Sequence, residues 1–499
     1  MAGVLSPGAG SRRKRSFPAA REQARLCHDR RVTTARSSEL TAARLSGERP
    51  ESSEFVIDLS ELPLSADLQR LIASEKEEFE AVLGRPVTFR SASETENAWV
   101  IEAPTNADPA PRLQWRSTTR LASIAASESD FLATMNALHT LCRSRRDALT
   151  VAPVESIEEA IQVIHDEVAN TYPYFALRGL NWDSISRKHL ETEPTLTDFS
   201  QRAAAWVAEL GDAHTSIKTS ASGGFHPDYR GTLQADGVHL TEVPRQSAAW
   251  EAGVRAGWVV AVQDVAHLMR TVGATPQQLP EVRARRAMAI HGTHRMYRAH
   301  NPASARAAEW EEPVVPLTLD NAVKVEREQD GDIRIRLRAF ASQLDLHSVF
   351  DDVFASAAPS ARITVDLRGN TGGSILLATD LRDRFLTERT KIGYVAFTDG
   401  RGSISPRTER WADPSDRRRW EGKTEILIDA MTYSASEDFV LGLQGLEHVR
   451  VSGSVSGGGS GRPRRVPLLP GVDLTISTAI TYDRRGRPVE FHGIRPDTD

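Results

Sequence analysis

The chain has 499 residues, of which 40% are hydrophobic and 26% charged, and its formal net charge is −5. This composition is typical of globular proteins and leaves room for about three domains. The two cysteines, Cys27 and Cys142, are too few for a disulfide scaffold or a cysteine zinc site. The negative charge argues against a protein built to bind nucleic acid, and no apolar run approaches the roughly 18 residues of a membrane-spanning helix.

Residues 1–52 form a basic segment, in which residues 1–50 hold eleven Lys and Arg against four Asp and Glu. No apolar periodicity is sustained there, so we predict a disordered tail. The stretch Ser11–Phe17 resembles a twin-arginine export signal, but the apolar segment that such a signal requires does not follow it. We therefore expect a cytoplasmic protein, with export as the alternative.

Residues 53–150 are predicted to form a small α/β region, to which the sequence assigns no role. Phe55–Leu59 and Trp99–Ile101 are strand candidates, and Leu68–Leu83 has the apolar spacing of a helix.

Residues 153–218 are predicted to be helical. The capping box Ser156-Ile-Glu-Glu159 marks the start of a first helix, because its side chains can satisfy free amides there. A second helix is predicted for residues 197–210, and Gly211 is a natural stop.

Residues 225–325 are predicted to be a mostly β module. Gly237–Val243 alternates like a strand, and Trp258–Val262 is a second strand candidate. Residues 265–310 are rich in His and Arg and are interpreted as a partly helical insertion.

Residues 330–499 repeat the pattern of strand, loop and helix, which indicates an α/β layer. Arg362–Leu367 and Glu425–Ala430 are the clearest strands, and a helix is predicted from Ser434 to about Leu446.

Between the second of these strands and that helix lies Tyr433-Ser-Ala-Ser-Glu437. A serine at a helix start lies beside unpaired amides and the positive end of the helix dipole. Ser434 could therefore act as a nucleophile in acyl transfer, with the amide of Ala435 stabilising the oxyanion. The same residues also make a plain capping box.

The first strand runs into a glycine-rich loop, Asp366-Leu-Arg-Gly-Asn-Thr-Gly-Gly373. Gly372 or Gly373 could supply a second oxyanion donor, since such loops present amides at close approach. The loop lacks the spacing of nucleotide-binding loops. The alternative is a tight turn that needs positive φ.

Two further residues could complete an acyl-transfer site. His214, just past the predicted helix end at Gly211, could serve as a general base, although a single histidine is commonly structural. Glu490, before a turn that contains Gly493 and Pro496, could orient an imidazole as the acid of a triad does. Its alternative is a surface carboxylate.

In order and spacing, these four segments resemble the tail-specific (C-terminal-processing) serine peptidase family, and most closely its branch that includes the tricorn protease core. The resemblance covers residues 153–498. It implies the following roles: nucleophile, Ser434; general base, His214; orienting carboxylate, Glu490; oxyanion hole, the amides of Ala435 and of Gly372 or Gly373.

The residues also separate the two branches of this family. One branch activates its serine with a Lys about 25 residues further along, but position 459 is Gly here and no Lys follows Lys423. A Ser–Lys dyad in that position is thereby excluded. Ala213 stands where the tricorn core has a Ser that links the His to the Glu, so Asp212 is the alternative to Glu490.

The resemblance further implies a crotonase- or ClpP-like layered α/β catalytic core with a helical N-terminal segment. Ala248–Val262 resembles the characteristic turn and strand of a PDZ-like domain, with Trp258 in place of the usual Asp. A PDZ-like domain binds an extended peptide at a sheet edge, but the segment inserted after the turn puts that binding in doubt.

We therefore expect a serine endopeptidase that cleaves extended or unfolded polypeptides by a Ser-His-Glu acyl-enzyme mechanism. The alternatives are a non-catalytic peptide or small-ligand binding protein on the same fold, and an esterase or amidase, for which the G-x-S-x-G elbow is absent. No cofactor and no metal are predicted, because His291, His294 and His300 are loosely spaced and lack accompanying carboxylates. The expected partner is a polypeptide substrate, without nucleic acid or a membrane span, and a homo-oligomer is left open.

Overall fold

The computed structural model describes residues 55–58, 76, 80, 87–90, 98–102, 120–124, 154–191, 195–219 and 224–497. The basic segment 1–52 lies outside the described residues. Those described form a mixed α/β protein with five sheets. Within them, no helix is both long and apolar enough to cross a bilayer.

The first sheet is parallel, with strand order β2-β1-β3-β4. Its strands are β1 Phe55–Asp58, β2 Val87–Arg90, β3 Ala98–Glu102 and β4 Arg120–Ile124. The strands predicted at Phe55 and Trp99 are thus confirmed, whereas most of the predicted helix 68–83 lies outside the described residues.

Within residues 154–219, four helices precede the segment that carries His214. They are α1 Ile157–Thr171, α2 Phe175–Arg178, α3 Trp182–His189 and α4 Phe199–Ala208. Helix α1 begins where the capping box predicts, since Ser156 Oγ accepts the amide of Glu159 at 3.1 Å. Gly211, with φ +62°, turns the chain after α4, and strand β5, Ser216–Thr219, follows. His214 therefore lies in a short connection between a packed helix and a strand.

The β module has one antiparallel five-stranded sheet in the order β10-β9-β8-β7-β6. Its elements are β6 Arg230–Gln234, β7 Gly237–Glu242, α5 Ala248–Glu251, β8 Val259–Val260, α6 Val265–Thr271, α7 Leu279–Ala287, β9 His294–His300 and β10 Ala307–Pro313.

The prediction that residues 265–310 are partly helical is confirmed, but these residues are not separate from the sheet. They supply α6, α7 and β9, and β9 pairs with β8 in the middle of the sheet. In β9, buried Tyr297 and Ala299 alternate with exposed Met296, Arg298 and His300. The strand is short in apolar residues because one of its faces meets solvent, so its composition resembles that of a loop.

The C-terminal part is built on a second five-stranded sheet, with order β11-β12-β13-β16-β17. Its neighbours from β12 to β17 pair in parallel, and β11 is an antiparallel edge. The elements are α8 Leu319–Ala322, β11 Val323–Arg327, β12 Ile333–Leu337, α9 Leu346–Ser356, β13 Ile363–Asp366, α10 Ile375–Asp383, β14 Thr390–Phe397, β15 Thr408–Ala412, β16 Thr424–Ile428, α11 Ala435–Leu443, β17 Val449–Gly453, β18 Arg464–Leu469, β19 Val472–Ile476 and β20 Ala479–Tyr482.

Adjacent parallel strands β13 and β16 determine where the chemistry lies. Both end at the same edge of the sheet, so the glycine loop that follows β13 and the turn that follows β16 are neighbours. Buried rings of Phe385 and Phe439 pack edge to face beneath this edge.

Two three-stranded sheets complete this part, with orders β15-β14-β20 and β18-β19-β5. Strand β5 pairs with β19, and Ser216 lies opposite Thr475. A strand from the segment that carries His214 is thereby built into a sheet from the C-terminal part. This pairing holds His214 near the edge where the β13 and β16 connections meet.

Candidate active site

Ser434 lies in a strained turn between β16 and α11. Its backbone has φ +59° and ψ −124°, a conformation that costs energy for a residue with a side chain. The amide of Ser434 donates to Gly459 O at 3.0 Å and to Glu437 Oε2 at 3.2 Å. These bonds hold the residue in the conformation that its own backbone disfavours.

Glu437 ties the start of α11 to the glycine segment after β17. Its carboxylate accepts the hydroxyl of Ser456 at 2.5 Å and the amides of Gly458 and Gly459 at 2.8 Å each, in addition to the Ser434 amide. Burial raises the pKa of this carboxyl to about 7, although these donors oppose the shift. The predicted capping box is therefore present in the bond from the Ser434 amide to Glu437. The same carboxylate also bonds the glycine segment.

His214 lies against Ser434. Its Nε2 is 3.1 Å from Ser434 Oγ, across 220 positions of sequence. Burial lowers the pKa of the His214 imidazole, against the charge of Asp212, which raises it. The neutral imidazole, which can accept a proton, is thereby favoured near neutral pH.

Asp212 fixes the backbone that carries His214. One carboxylate oxygen accepts the amide of His214 at 2.9 Å, and the other accepts the hydroxyls of Thr215 at 2.6 Å and Ser477 at 2.7 Å. The carboxylate is 3% exposed. Asp212 therefore links the His214 loop to the end of β19 but does not bond the imidazole.

The three backbone amides predicted to bind an oxyanion differ in whether they already donate a hydrogen bond. The amide of Gly372 donates to Asn370 Oδ1 at 2.9 Å, so it is already engaged. The amides of Gly373 and Ala435 have no hydrogen-bond acceptor among the described residues. A Cβ on Gly372 would lie 2.9 Å from the amide nitrogen of Ala435, which shows how closely the glycine loop approaches the serine turn.

Glu490 is buried but bonded elsewhere. Both carboxylate oxygens accept the amide of Thr481, at 2.9 and 3.1 Å, and burial raises the pKa of the carboxyl to about 8. No hydrogen bond or ion pair joins Glu490 to His214 in the described part of the chain. Its orienting role, predicted from the sequence, stays a prediction, while its alternative as a surface carboxylate is wrong, because the side chain is 1% exposed.

The group next to His214 Nδ1 is instead the hydroxyl of Tyr433, at 3.2 Å. Sequence reasoning passed over Tyr433, since the direction of a side chain beside a strained turn cannot be read from a motif. The signal that could have found it is the run of glycines at 457–459, which leaves space for a large ring.

Asp429 is a second residue that the sequence did not reveal. Its Oδ1 accepts the amides of Gly369 at 3.0 Å, Met431 at 3.0 Å and Thr432 at 3.1 Å. Its Oδ2 pairs with Arg230 of the β module at 2.5 Å. The module is thus connected directly to the base of both loops that form the site.

Comparisons with known proteins agree with this arrangement. The model of peptidase family S41 matches residues 334–499, which include the glycine loop, Ser434 and Glu490. These residues belong to peptidase family S41. This part of the chain, which holds Ser434, is therefore similar to the serine-type peptidases of that family.

Solved structures of other proteins resemble this chain to different extents. Mature CPAF, in complex with lactacystin, is 12% identical over 69% of this chain and 94% of that chain, with a TM-score of 0.50. A photosystem II D1 C-terminal processing protease is 17% identical over 69% and 93%, with a TM-score of 0.47. The tricorn protease is 16% identical over 71% of this chain and 35% of that chain, with a TM-score of 0.32. Comparison with curated proteins gives no significant match.

Across the described residues, no cluster of three or more His, Cys, Asp or Glu side chains could hold a metal ion. His291, His294 and His300 do not converge on one site there.

Proposed function

We propose that this S41 peptidase hydrolyses peptide bonds through an acyl-enzyme formed on Ser434. The observation that carries the proposal is the contact of 3.1 Å between His214 Nε2 and Ser434 Oγ. A non-catalytic binding protein on the same fold would have no need for this contact or for the strained serine turn.

In the proposed reaction, His214 acts first as a base and then as an acid in each of the two half-reactions. Ser434 Oγ attacks the scissile carbonyl carbon while His214 Nε2 takes the hydroxyl proton, and the imidazolium then gives it to the leaving amine as the C–N bond breaks. Water then attacks the ester carbonyl carbon while the same nitrogen takes its proton, and the imidazolium gives this proton to Ser434 Oγ as the ester C–O bond breaks and the acid product leaves. The low pKa of His214 suits both steps, because the base must be neutral at the start of each.

The free amides of Ala435 and Gly373 support the proposed oxyanion hole. Ala435 is the first residue of α11, so its amide adds to the positive end of the helix dipole. Gly373 is held by the backbone of Phe340, which donates to Gly372 O at 2.9 Å and accepts the Ser374 amide at 2.7 Å. Donors fixed in this way stabilise the tetrahedral intermediate without rearranging.

We assign extended or unfolded polypeptides as the substrates. Strand β5 starts two residues after His214 and is the terminal strand of its described sheet. An extended peptide can add to such an edge through main-chain hydrogen bonds and place a peptide bond beside the imidazole. Most of the backbone of a folded protein is already paired within its own helices and sheets, so an extended or unfolded chain offers far more of it. Glu490 remains the candidate third member of a Ser-His-Glu set, with no contact to His214 on which to base its role.

Labelling with a fluorophosphonate probe tests the nucleophile. We expect the wild type to be labelled, and Ser434→Ala and His214→Ala to lose labelling together with cleavage of an unfolded polypeptide. The matched control is Ser436→Ala, which removes a buried hydroxyl without a hydrogen-bond partner from the same helix turn. Labelling of Ser434→Ala at the wild-type rate, or cleavage that persists in it, would overturn the proposal.

A further inference from the structure

The Nδ1 side of the His214 imidazole faces a tyrosine. Tyr433 Oη lies 3.2 Å from Nδ1, and the two rings stack with centroids 4.6 Å apart and planes inclined by 30°. The Tyr433 side chain is 5% exposed. Serine peptidases commonly place a carboxylate at this nitrogen, so the environment of His214 here is different.

The two acids that the sequence offered for this place are occupied elsewhere. Asp212 accepts three hydrogen bonds, all from outside the imidazole, and Glu490 accepts the amide of Thr481. Among the described residues, the side chains in hydrogen-bond contact with His214 are therefore Ser434 and Tyr433.

Tyr433 is held in this position from several sides. Its amide donates to Asn370 O at 3.1 Å, and its carbonyl accepts the amide of Ser436 at 3.2 Å. Two glycines make room for the ring: a Cβ on Gly459 would lie 2.3 Å from Tyr433 Oη, and one on Gly457 would lie 2.7 Å from Tyr433 Cδ2. Any side chain at position 459 would therefore overlap the ring of Tyr433.

We propose that Tyr433 is the positioning residue of this peptidase: its hydroxyl oxygen accepts the Nδ1 proton of His214, and its ring fixes the plane of the imidazole. The inference rests on the proposed function of Ser434 and His214. With the proton on Nδ1, Nε2 carries the lone pair that receives the proton of Ser434. Tyr433 makes no contact with the reacting carbonyl and acts through His214.

The groups around His214 determine the pKa of its imidazole, which the acid limb of the pH profile reports. Asp212 and Asp438 raise the pKa of the imidazole and Lys218 lowers it, while burial has the largest effect. Burial raises the pKa of the Tyr433 phenol well above its ordinary value, so it stays protonated. An accepting hydroxyl oxygen stabilises the imidazolium, so its removal lowers the pKa of His214.

Tyr433→Phe tests the inference, with Tyr174→Phe as the matched control. Both remove one hydroxyl from a buried ring, and Tyr174 Oη donates to the backbone carbonyl of Ala479 at 2.8 Å, with no hydrogen bond to His214 in the described part of the chain. We expect Tyr433→Phe to lower kcat by roughly 10- to 100-fold with little change in KM, and to move the acid limb of the pH profile to lower pH. Tyr174→Phe should lower Tm to a similar extent and leave kcat and the acid limb unchanged.

A measurement on the unsubstituted enzyme complements the variants. Nitrogen NMR of the wild type with labelled histidine, assigned with His214→Ala, should show neutral His214 protonated at Nδ1. Protonation at Nε2, or equal kcat and equal acid limbs in the two Phe variants, would overturn the role of Tyr433 and leave Ser434 and His214 in place. Full activity of Ser434→Ala would instead overturn the proposed function itself.

Discussion

Replacement of Gly459 by alanine tests whether the space around Tyr433 is required for activity. A Cβ at position 459 would lie 2.3 Å from Tyr433 Oη and 2.5 and 2.6 Å from two carbons of its ring. Carbon atoms pack best at about 3.5–4.0 Å, so the ring or the glycine segment must move by about 1 Å. The segment cannot move alone, since its backbone also bonds Ser434 and Glu437.

The expected effects on stability and activity differ in size. Overpacking of this kind destabilises proteins by about 1–3 kcal/mol, which corresponds to a fall in Tm of about 2–10 °C. A displacement of about 1 Å in a catalytic group costs roughly 100-fold in rate. We therefore expect Gly459→Ala to fold, to melt a few degrees lower, and to lose most of its kcat and of its rate of labelling by a fluorophosphonate.

The control is Gly422→Ala, which creates a clash of the same type away from the site. A Cβ on Gly422 would lie 2.5 Å from Cζ2 of Trp420, and neither Gly422 nor Gly459 has a φ in the left-handed region. Gly422→Ala should lower Tm without changing kcat. Wild-type kcat in Gly459→Ala, or an equal loss of kcat in both variants, would refute the argument that the glycine provides space for Tyr433.

Three further substitutions test the surroundings of the site. Asp212→Asn removes a charge that raises the pKa of His214, so the acid limb of kcat/KM should move to lower pH, with a loss of about 1.5–3 kcal/mol in stability from the weakened hydrogen bonds. Because burial raises the pKa of Glu490 to about 8, the folded state keeps a proton that the unfolded chain loses near its ordinary value of 4.5. The resulting stability is complete below that value and lost as the pH rises through about 8, so Glu490→Gln should flatten the fall in Tm between about pH 4.5 and pH 8. Arg230→Ala breaks the ion pair with Asp429, whose carboxylate holds both loops, and should cost about 1–3 kcal/mol in stability and lower kcat, as measured by urea unfolding and peptide cleavage.

For each of these three substitutions, one outcome would contradict the reasoning behind the prediction. For Asp212→Asn it is an acid limb that moves to higher pH. For Glu490→Gln it is a dependence of Tm on pH identical to that of the wild type. For Arg230→Ala the control is Arg298→Ala, which removes an ion pair with Glu309 between side chains that are 77% and 57% exposed. This surface pair should contribute about 0–1 kcal/mol, and equal losses in the two variants would contradict a special role for Arg230.

Sequence reasoning was most informative where local chemistry and parallel-strand topology combine. Two strands of a parallel sheet place their following loops together, so the glycine loop and Ser434 could be predicted to meet. His214 was placed in the same site by resemblance alone, and the structure brings it within 3.1 Å of Ser434. The helix that starts at Ser156 follows from a capping box, which acts within one turn.

Contacts between distant segments could not be predicted in the same way. The bond between Tyr433 and His214 depends on the direction of a side chain at a strained turn, and the ion pair between Arg230 and Asp429 depends on how the β module meets the sheet. Neither follows from the spacing of residues. Strand β9 was missed for a different reason, because half of its side chains face solvent and its Arg and His resemble those of a loop.

The pairing of β5 with β19 has a consequence for synthesis of the protein. When Ser434 is synthesised, residues 472–477, which complete the sheet of β5 and bond Asp212, are still to be made. The base therefore has no fixed position relative to the nucleophile in a nascent chain of that length. We therefore expect the proposed site to be assembled only after residues 472–477 have joined the sheet of β5.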